Sequence, residues 1–519
     1  MNLSVLAILV AALTADPHTP AGSYATPDYI RRPPSLPANR DASRALRLTL
    51  AEAIETSMRR NLAINLQREQ VRQVDTAQGI AMGAFEPRLD ASIQRDVSRS
   101  PPLTRQEGVA GDVVHNERTS FGFGLFERLP TGTELRLGFG SNVSQGTAGT
   151  AVLQDRYYRS ELSGSLTQPL LAGFSFTTRI QRAPLLRARF GSQAAREQAR
   201  LRALLTVNLT ENTYWDLVAA MKSYEVTAGA LDLARRQLEL TRRQIAAGTT
   251  PESDLISAEA TLAQRELALV RAEAQIDEVS DRLRGLLNLP EPEWERPLLP
   301  ADTPSFVPLQ VAVGPAFERA LAGRPELRGV QIDYQQIALD LAVARNARLP
   351  RLDLQVAGRT VGQDPLFGET VTQVTRADGR QWTVGLNLAW APIGTAARAE
   401  VRRVESALRS NALNHEQIVV AIRTEIREAV RAIDTADRQL RAAARSRELS
   451  ERSLDVEQRR YASGLSNNFF IAQRQSELEA ARQAELNALI QHEKATSDMQ
   501  LATGDLLDAR HLVFSVDTR

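Results

Sequence analysis

The chain has 519 residues, 43% of them hydrophobic, and its 63 Lys and Arg nearly cancel 62 Asp and Glu, leaving a formal charge of +1. That balance gives no electrostatic case for nucleic acid, whose binders usually concentrate a basic excess on one face. The absence of cysteine excludes disulfides, thiolate chemistry and a lipid-bearing N-terminal Cys.

The chain opens on an apolar run, Leu3 to Leu13, followed by Thr14-Ala15-Asp16-Pro17. The run has the length of a signal-peptide core and is too short for a membrane-spanning helix. Residues 1–15 therefore read as a signal peptide with Ala15 at the cleavage point, and 16–45 as a Pro-rich N-terminal segment. No Lys or Arg precedes the run, so a misassigned start codon and a buried N-terminal segment stay open as alternatives. No later stretch is long and apolar enough for a transmembrane helix, and any membrane span is expected to be a β-barrel.

From about residue 46 a helical pattern leads to Pro87-Arg88-Leu89-Asp90, where the period changes to two. Leu89, Ala91 and Ile93 alternate with Arg88, Asp90 and Ser92. Phe121, Phe123 and Leu125 alternate with Gly122, Gly124 and Phe126, and after the turn Pro130-Thr131-Gly132-Thr133 the alternation resumes at Leu135, Leu137 and Phe139. Residues 158–170 alternate more loosely. Alternating segments of about ten residues with aromatics near their ends are the signature of transmembrane strands, although a half-buried soluble hairpin reads the same way. Strands are thus expected over about 85–170.

Leu185 to Thr250 holds no proline, and its apolar residues, Leu201, Leu204, Leu205, Leu231 and Leu238 among them, recur at three- and four-residue spacing. A helix of about 65 residues is about 100 Å long at about 1.5 Å per residue. No compact domain holds that length, so the helix needs an antiparallel partner, which a turn at Gly248 supplies. The first repeat spans 46–289, and the Pro-rich stretch 290–312 links it to the second.

The second repeat, 313–510, restates the first. Ala316-Phe317-Glu318 and Pro350-Arg351-Leu352-Asp353 follow Ala53-Ile54-Glu55 and Pro87-Arg88-Leu89-Asp90 at one offset of 263 residues (316 against 53). Strands are expected over about 350–391, with Leu352, Leu354 and Val356 in one and Trp382, Val384, Leu386, Leu388 and Trp390 in another. Beyond Pro392 no proline follows, and Arg459-Arg460-Tyr461-Ala462-Ser463-Gly464 matches Arg243-Gln244-Ile245-Ala246-Ala247-Gly248 at an offset of 216 (464 against 248). A second helical hairpin therefore turns at Gly464, and 511–519 is a tail. Between these landmarks the first half carries 47 more residues than the second, the difference between the offsets (263 − 216). Four to six strands cannot close a large barrel alone, so several chains must contribute to one.

Long paired helices, few alternating strands, a signal-like start and an internal duplication together resemble the TolC family of outer membrane efflux proteins, over about residues 46–510. The resemblance implies an α+β membrane protein of two structural repeats, working as a homotrimer. Its strands would contribute to a trimer-shared transmembrane β-barrel in the cell outer membrane. Its long antiparallel coiled coils would form a tunnel in the periplasm, closed at the tip. The implied function is passive exit for substrates delivered by an inner-membrane transporter and a periplasmic adaptor (membrane fusion protein), in tripartite efflux or type I secretion. Gln168-Pro169-Leu170-Leu171-Ala172-Gly173 and Ala391-Pro392-Ile393-Gly394 look like that family's strand-to-helix junctions. Members have two strands per repeat, so the extra hairpin at about 118–143 departs from the pattern. It adds barrel strands, lengthens them or forms an external cover, and a twelve-strand shared barrel is the expectation.

The resemblance also places a periplasmic gate around the two Gly turns. Tyr461, three residues before Gly464, matches a Tyr bonded to an Asp of the other coiled coil, and that Asp matches Asp254, with Ser253 beside it. Ser466 stands where the family gate has an Arg, and Phe470 and Gln473 where it has an acidic ring. A more apolar constriction, closed by Phe packing and dewetting, is implied. Asp254 equally suits capping of the helix after Pro251, and Phe470 the core of a coiled coil. Adaptor contact is implied at the tip turns Gly248 and Gly464, with Arg243 and Arg460 nearby; solvated helix faces explain these arginines as readily. The five His are scattered without metal-ligand spacing, and no nucleotide fingerprint or catalytic motif appears. No metal, cofactor or enzyme activity is expected, and energy for transport must come from a partner. The competing reading is a periplasmic coiled-coil adaptor or structural protein without a channel, which the two hairpins and the alternating strands oppose.

Overall fold

A computed structural model of the chain describes residues 24, 26–37, 40–101, 113–146, 156–174, 179–248, 251–463 and 465–515. The signal peptide expected over 1–15 lies outside them. In chain order the elements are α1 (Asp28–Arg31), β1 (Leu46–Leu48), α2 (Leu50–Arg60), α3 (Leu62–Gly83), β2 (Arg88–Ser100), β3 (Val114–Arg128), β4 (Glu134–Gly146) and β5 (Arg156–Pro169). The long helix α4 (Ala183–Ala246) follows, then α5 (Ser253–Leu287), α6 (Glu291–Trp294) and β6 (Leu298–Pro300). The second half holds α7 (Val313–Gly323), α8 (Pro325–Ala347), β7 (Arg351–Asp364), α9 (Phe367–Arg376), β8 (Gly379–Ala389), α10 (Thr395–Ala462), α11 (Asn468–Thr503) and α12 (Leu506–Ala509). The duplication is visible in the element starts: α2, α3 and β2 begin at 50, 62 and 88, and α7, α8 and β7 at 313, 325 and 351.

The chain divides into two compact units, a helical one drawn from 1–64, 203–323 and 422–513 and a sheet unit drawn from 65–202, 324–421 and 514–519. In the helical unit Tyr214 and Trp215 of α4, Ile276, Leu283 and Leu287 of α5 and Leu486 and Ile490 of α11 form the main core. β1 pairs in parallel with β6, Leu46 opposite Leu298, which ties the start of the first repeat to the Pro-rich linker. The buried Tyr214 hydroxyl donates to Asp302 Oδ2 at 2.7 Å and stands 3.0 Å from Leu48 O. Burial raises its pKa, so the donor is kept. Helix α2 starts on a reciprocal capping box between Thr49 and Glu52.

The N-terminal segment is fastened to the same unit by polar groups. Tyr29 donates to Glu485 Oε2 at 2.6 Å, and the Arg447 guanidinium lies 2.8 Å from that fully buried carboxylate. Buried Lys222 donates to Tyr29 O at 3.0 Å and to Glu225 at 2.8 Å. A further ion pair joins Arg510 to fully buried Glu211, at 2.7 and 3.1 Å.

In the sheet unit, six antiparallel strands among the described residues form one sheet in the order β2-β3-β4-β5-β7-β8. Leu89 stands opposite Leu125, Leu125 opposite Leu137, and Phe139 opposite Leu162. Opposed residues share a face, so Leu89, Ile93, Phe121, Phe123, Leu137, Leu162, Val356, Trp382, Leu386 and Leu388 build one apolar face. The other face is polar and concave, lined by Arg88, Asp90, Arg136, Ser163, Arg359 and Gln381. The extra hairpin β3–β4 is therefore inside the sheet, which has six strands, the upper end of the four to six expected per chain.

Helix α9 is an element the alternation did not announce. It lies on the apolar face near the end of β7 and β5 distant from the long helices, with the Phe367 ring 5.9 Å from both Phe121 and Tyr158. Beneath it Ser160 bonds Ser141 at 2.9 Å and Thr370 at 2.7 Å. A Cβ at Gly362 would collide with Thr370 O, so β7 needs glycine there for the helix to seat.

Removing the guanidinium in Arg510→Ala leaves Glu211 buried without that partner. The expected cost is about 2–4 kcal/mol, read as a fall in the thermal or denaturant midpoint of the detergent-solubilised protein; an unchanged midpoint would show that the pair adds nothing. Burial raises the Glu493 carboxyl, outweighing the Ser305 N–H that lowers it. The folded chain thus holds this proton more tightly than the unfolded one. The group's contribution is fully present below its unfolded pKa and lost as pH rises through the folded value. Glu493→Gln should raise the midpoint by a few degrees at pH 7, with the gain shrinking toward pH 4. A gain independent of pH would trace to packing instead.

Candidate functional site at the tips of the helical hairpins

Two hairpins, α4 with α5 and α10 with α11, are joined by a series of polar links. Ser223 Oγ donates to Gln483 Oε1 at 2.9 Å, and Gln237 Nε2 to Oδ1 of buried Asn468 at 2.7 Å. Arg265 of α5 forms an ion pair with Glu479 of α11. Burial raises the Glu479 carboxyl, against the lowering effect of that arginine. Side chains of this kind hold two helices in one register, because a one-turn slip separates every pair.

At the tip of α10 the Tyr461 hydroxyl donates to Gln244 Oε1 of α4 at 2.5 Å. The resemblance pairs Tyr461 with Asp254 of α5; the structure gives it Gln244 of α4 instead. Asp254 instead sits in the first turn of α5, where its charge complements the helix dipole. The N-cap of α5 is Glu252 and makes no side-chain capping bond, so Asp254 does not cap that helix. Ser253, beside it, is exposed and opens α5.

Gly248 has φ +73 and ends α4, a left-handed position that favours glycine. Gly464 lies outside the described residues; beside it, Leu465 N–H returns to Arg460 O at 2.9 Å. Ser466 donates to buried Glu457 of α10, which also has Arg460 at 3.5 Å. The position that resembles a family Arg is thus folded back on its own hairpin. Asn467 caps α11 by accepting from Phe470 N–H at 3.2 Å. Phe469 and Phe470 remain 69% and 44% exposed, their rings 5.6 Å apart edge to face, which rules out burial in this chain's own coiled-coil core. Gln473 is exposed and donates to Glu477 at 3.2 Å. Arg243 and Arg460 are exposed at the ends of α4 and α10.

Sequence reasoning missed Gln244, Glu457 and Asn468. One signal was present: Gln244 stands at the place of Arg460 in the duplication (460 against 244), so the two tips differ at a position where a symmetric pair would repeat. No group of His, Asp and Glu among the described residues is arranged to hold a metal ion, and no helix there is long and apolar enough to cross a membrane.

Residues 134–289 and 316–505, about two thirds of the chain, match the family described as outer membrane efflux protein. The pyoverdine export outer membrane protein OpmQ of Pseudomonas aeruginosa is 23% identical over 432 residues, covering 82% of this chain and 86% of that one. Among solved structures, the outer-membrane channel OprN is similar with a TM-score of 0.66 at 19% identity, over 94% of this chain and 98% of that one. The CmeC outer membrane channel of Campylobacter jejuni is similar with a TM-score of 0.66 at 16% identity, over 88% and 86%. At these identities the structures speak for the fold, and the matched segments fall on both repeats. The chain belongs to the outer membrane efflux protein family, and is an outer-membrane channel for efflux whose helical part lies in the periplasm.

Proposed function

We propose that three copies of the chain assemble around one passage and receive cargo from an inner-membrane transporter through a periplasmic adaptor. Exposed apolar residues on the long helices support assembly. Leu413 and Val420 of α10, and again Leu449 and Val456, are exposed and seven residues apart, the spacing of a coiled-coil seam awaiting a neighbouring helix. The relative named for pyoverdine export gives an outward direction of transport, and only that direction is carried over. Chain ends of 16–45 and 511–519 flank two repeats of 46–289 and 313–510, linked by 290–312.

The tips are the proposed gate, formed by Tyr461, Gln244, Asp254, Ser253, Ser466, Phe470 and Gln473. Adaptor contact is proposed at the turns Gly248 and Gly464 with Arg243 and Arg460. The observation that carries this reading is the Tyr461–Gln244 bond between two hairpins, next to exposed Phe469 and Phe470. A neutral bond of that kind is worth about 1 kcal/mol, strong enough to bias a closed arrangement and weak enough to be undone.

Planar-bilayer recordings of the purified full-length protein test it. The wild type should show a small, mostly closed conductance, which Tyr461→Phe and Gln244→Ala each raise severalfold. Asp254→Ala should have the smaller effect, because Tyr461 is bonded elsewhere. A channel changed only by Phe470→Ala moves the gate to the apolar ring. No conductance from a verified oligomer would sink the gated-duct reading.

A further inference from the structure

We infer that the assembled protein closes an eighteen-stranded barrel, six strands from each of three copies, with β2 of one copy beside β8 of the next. The inference rests on the proposed trimer and adds the number of strands, their seams and the width of the outer-membrane passage.

The hairpin β3–β4 has the placement of barrel wall. It pairs along its whole length on both sides, Arg88 to Ser100 of β2 against Phe126 to Val114 and Glu134 to Gln145 of β4 against Thr167 to Arg156. Its faces continue those of the sheet: Phe123 and Leu137 stay exposed on the apolar side, as a lipid-facing strand requires. An external cover would bury one of its faces against the strands beneath. The turn of the hairpin is also built into the strand-to-helix junction. Leu129 N–H donates to Thr133 O at 2.8 Å, Thr133 bonds Gln168 at the end of β5, and Gly132, at φ +90, lies against Gln181.

Among the described residues β2 and β8 are the sheet's two edges. An unpaired edge in hydrocarbon leaves its outward-pointing N–H and C=O groups unsatisfied, at several kcal/mol per group, and only closure removes it. A second copy fits both edges. β2 runs away from helix α3 and β8 runs back toward α10, so β8 of one copy beside β2 of the next continues the antiparallel alternation and presents apolar face to apolar face. The contact is head to tail, and such contacts form a ring when the rotation between copies closes, as the curl of a barrel provides.

The strand number sets the width. At about 4.8 Å between strands and a tilt of about 40°, eighteen strands give a backbone diameter of about 36 Å, against about 24 Å for twelve. On the concave polar face the inserted hairpin carries Gly122, Gly124, Gly138 and Gly140, so the added wall enlarges the lumen instead of refilling it with side chains. Barrels of this strand number keep an aqueous channel.

The chain has no cysteine, so introduced pairs report directly on seams in the full-length protein assembled in outer membranes. A Cβ at Gly122 would lie 3.6 Å from Ser92 Oγ. Ser92→Cys with Gly122→Cys should therefore link within most chains on mild oxidation. Ser92→Cys combined in turn with Gln381→Cys, Thr383→Cys, Gly385→Cys and Asn387→Cys should give, for at least one pair, covalent trimers on non-reducing gels. Ser92→Cys with Ser163→Cys tests the β2–β5 seam that a twelve-strand barrel from three chains needs, and should not link. Linking there with none at Gly122 would overturn the inference and leave the trimer standing. So would a trimer that shows no β2–β8 link. A native mass of two chains would instead sink the trimer reading itself.

Discussion

A strand in hydrocarbon has no water to satisfy its backbone, and that requirement orders the rest of this molecule. Each strand of the sheet is bonded along its length to a neighbour, apolar residues face one way and polar residues the other. The long helices are fastened directly to strand ends: α3 feeds β2, β5 leads to α4, α8 feeds β7 and β8 leads to α10. Strand spacing thereby sets helix spacing at each junction. Because β5 pairs with β7, the start of α4 meets the end of α8, where Arg187 bonds Asp340 at 2.7 Å and Gly173 N–H donates to Asn346 at 2.8 Å.

The helical unit solves a different problem. Helices satisfy their own backbone, so nothing but side chains fixes which helices meet and in what register. Apolar packing around Tyr214, Leu283 and Leu486 holds the core, and it is tolerant of sliding. Register comes from buried polar groups with specific partners on other segments: Glu211 with Arg510, Glu485 with Tyr29 and Arg447, Lys222 with the Tyr29 carbonyl. Such pairs add little net stability over apolar residues, but a misregistered arrangement strands a charge in the interior and is penalised heavily. The solvent-facing side of α10 is held by weaker ties, among them the pairs Arg438–Asp434 and Arg441–Asp437 at four-residue spacing, worth about 0.3–0.5 kcal/mol each.

Where one periodicity ran unbroken, the sequence was a sufficient guide. The proline-free runs gave α4 and α10 to within a few residues, and the duplicated landmarks gave the order of elements in both halves. Strand ends were less legible. β2 continues to Ser100 and β7 to Asp364 through Arg95, Asp96, Arg359 and Gln363, where polar residues occupy both faces and alternation disappears; pairing with a neighbour, which no local pattern reveals, carries the strand on. Helix α9 did carry a signal, Phe367, Thr370, Val371 and Val374 on one helical stripe, but ten residues between two strands are easily taken for a loop. At the tips, the duplication placed the turns between α4 and α5 and between α10 and α11, whereas the partner that the resemblance implied for Tyr461 differs from the one the structure gives it. Bonding depends on which helix face turns toward its neighbour: Gln244 occupies that face of α4, whereas Asp254 lies on α5.

The contrast in bond strength within the helical unit bears on where motion can begin. Its core is stapled by buried charges, each costing about 2–4 kcal/mol to leave unpaired, whereas the proposed gate hangs on one neutral bond per chain, Tyr461 to Gln244. Three copies of such a bond amount to about 3 kcal/mol. A partner binding the open tips with micromolar affinity has about 8 kcal/mol of association free energy, and a differential affinity of less than half that suffices to reverse the equilibrium. Opening the core would demand several times more. A duct gated as proposed would open first at its tips, where exposed Phe469 and Phe470 put apolar surface beside the Tyr461–Gln244 bond.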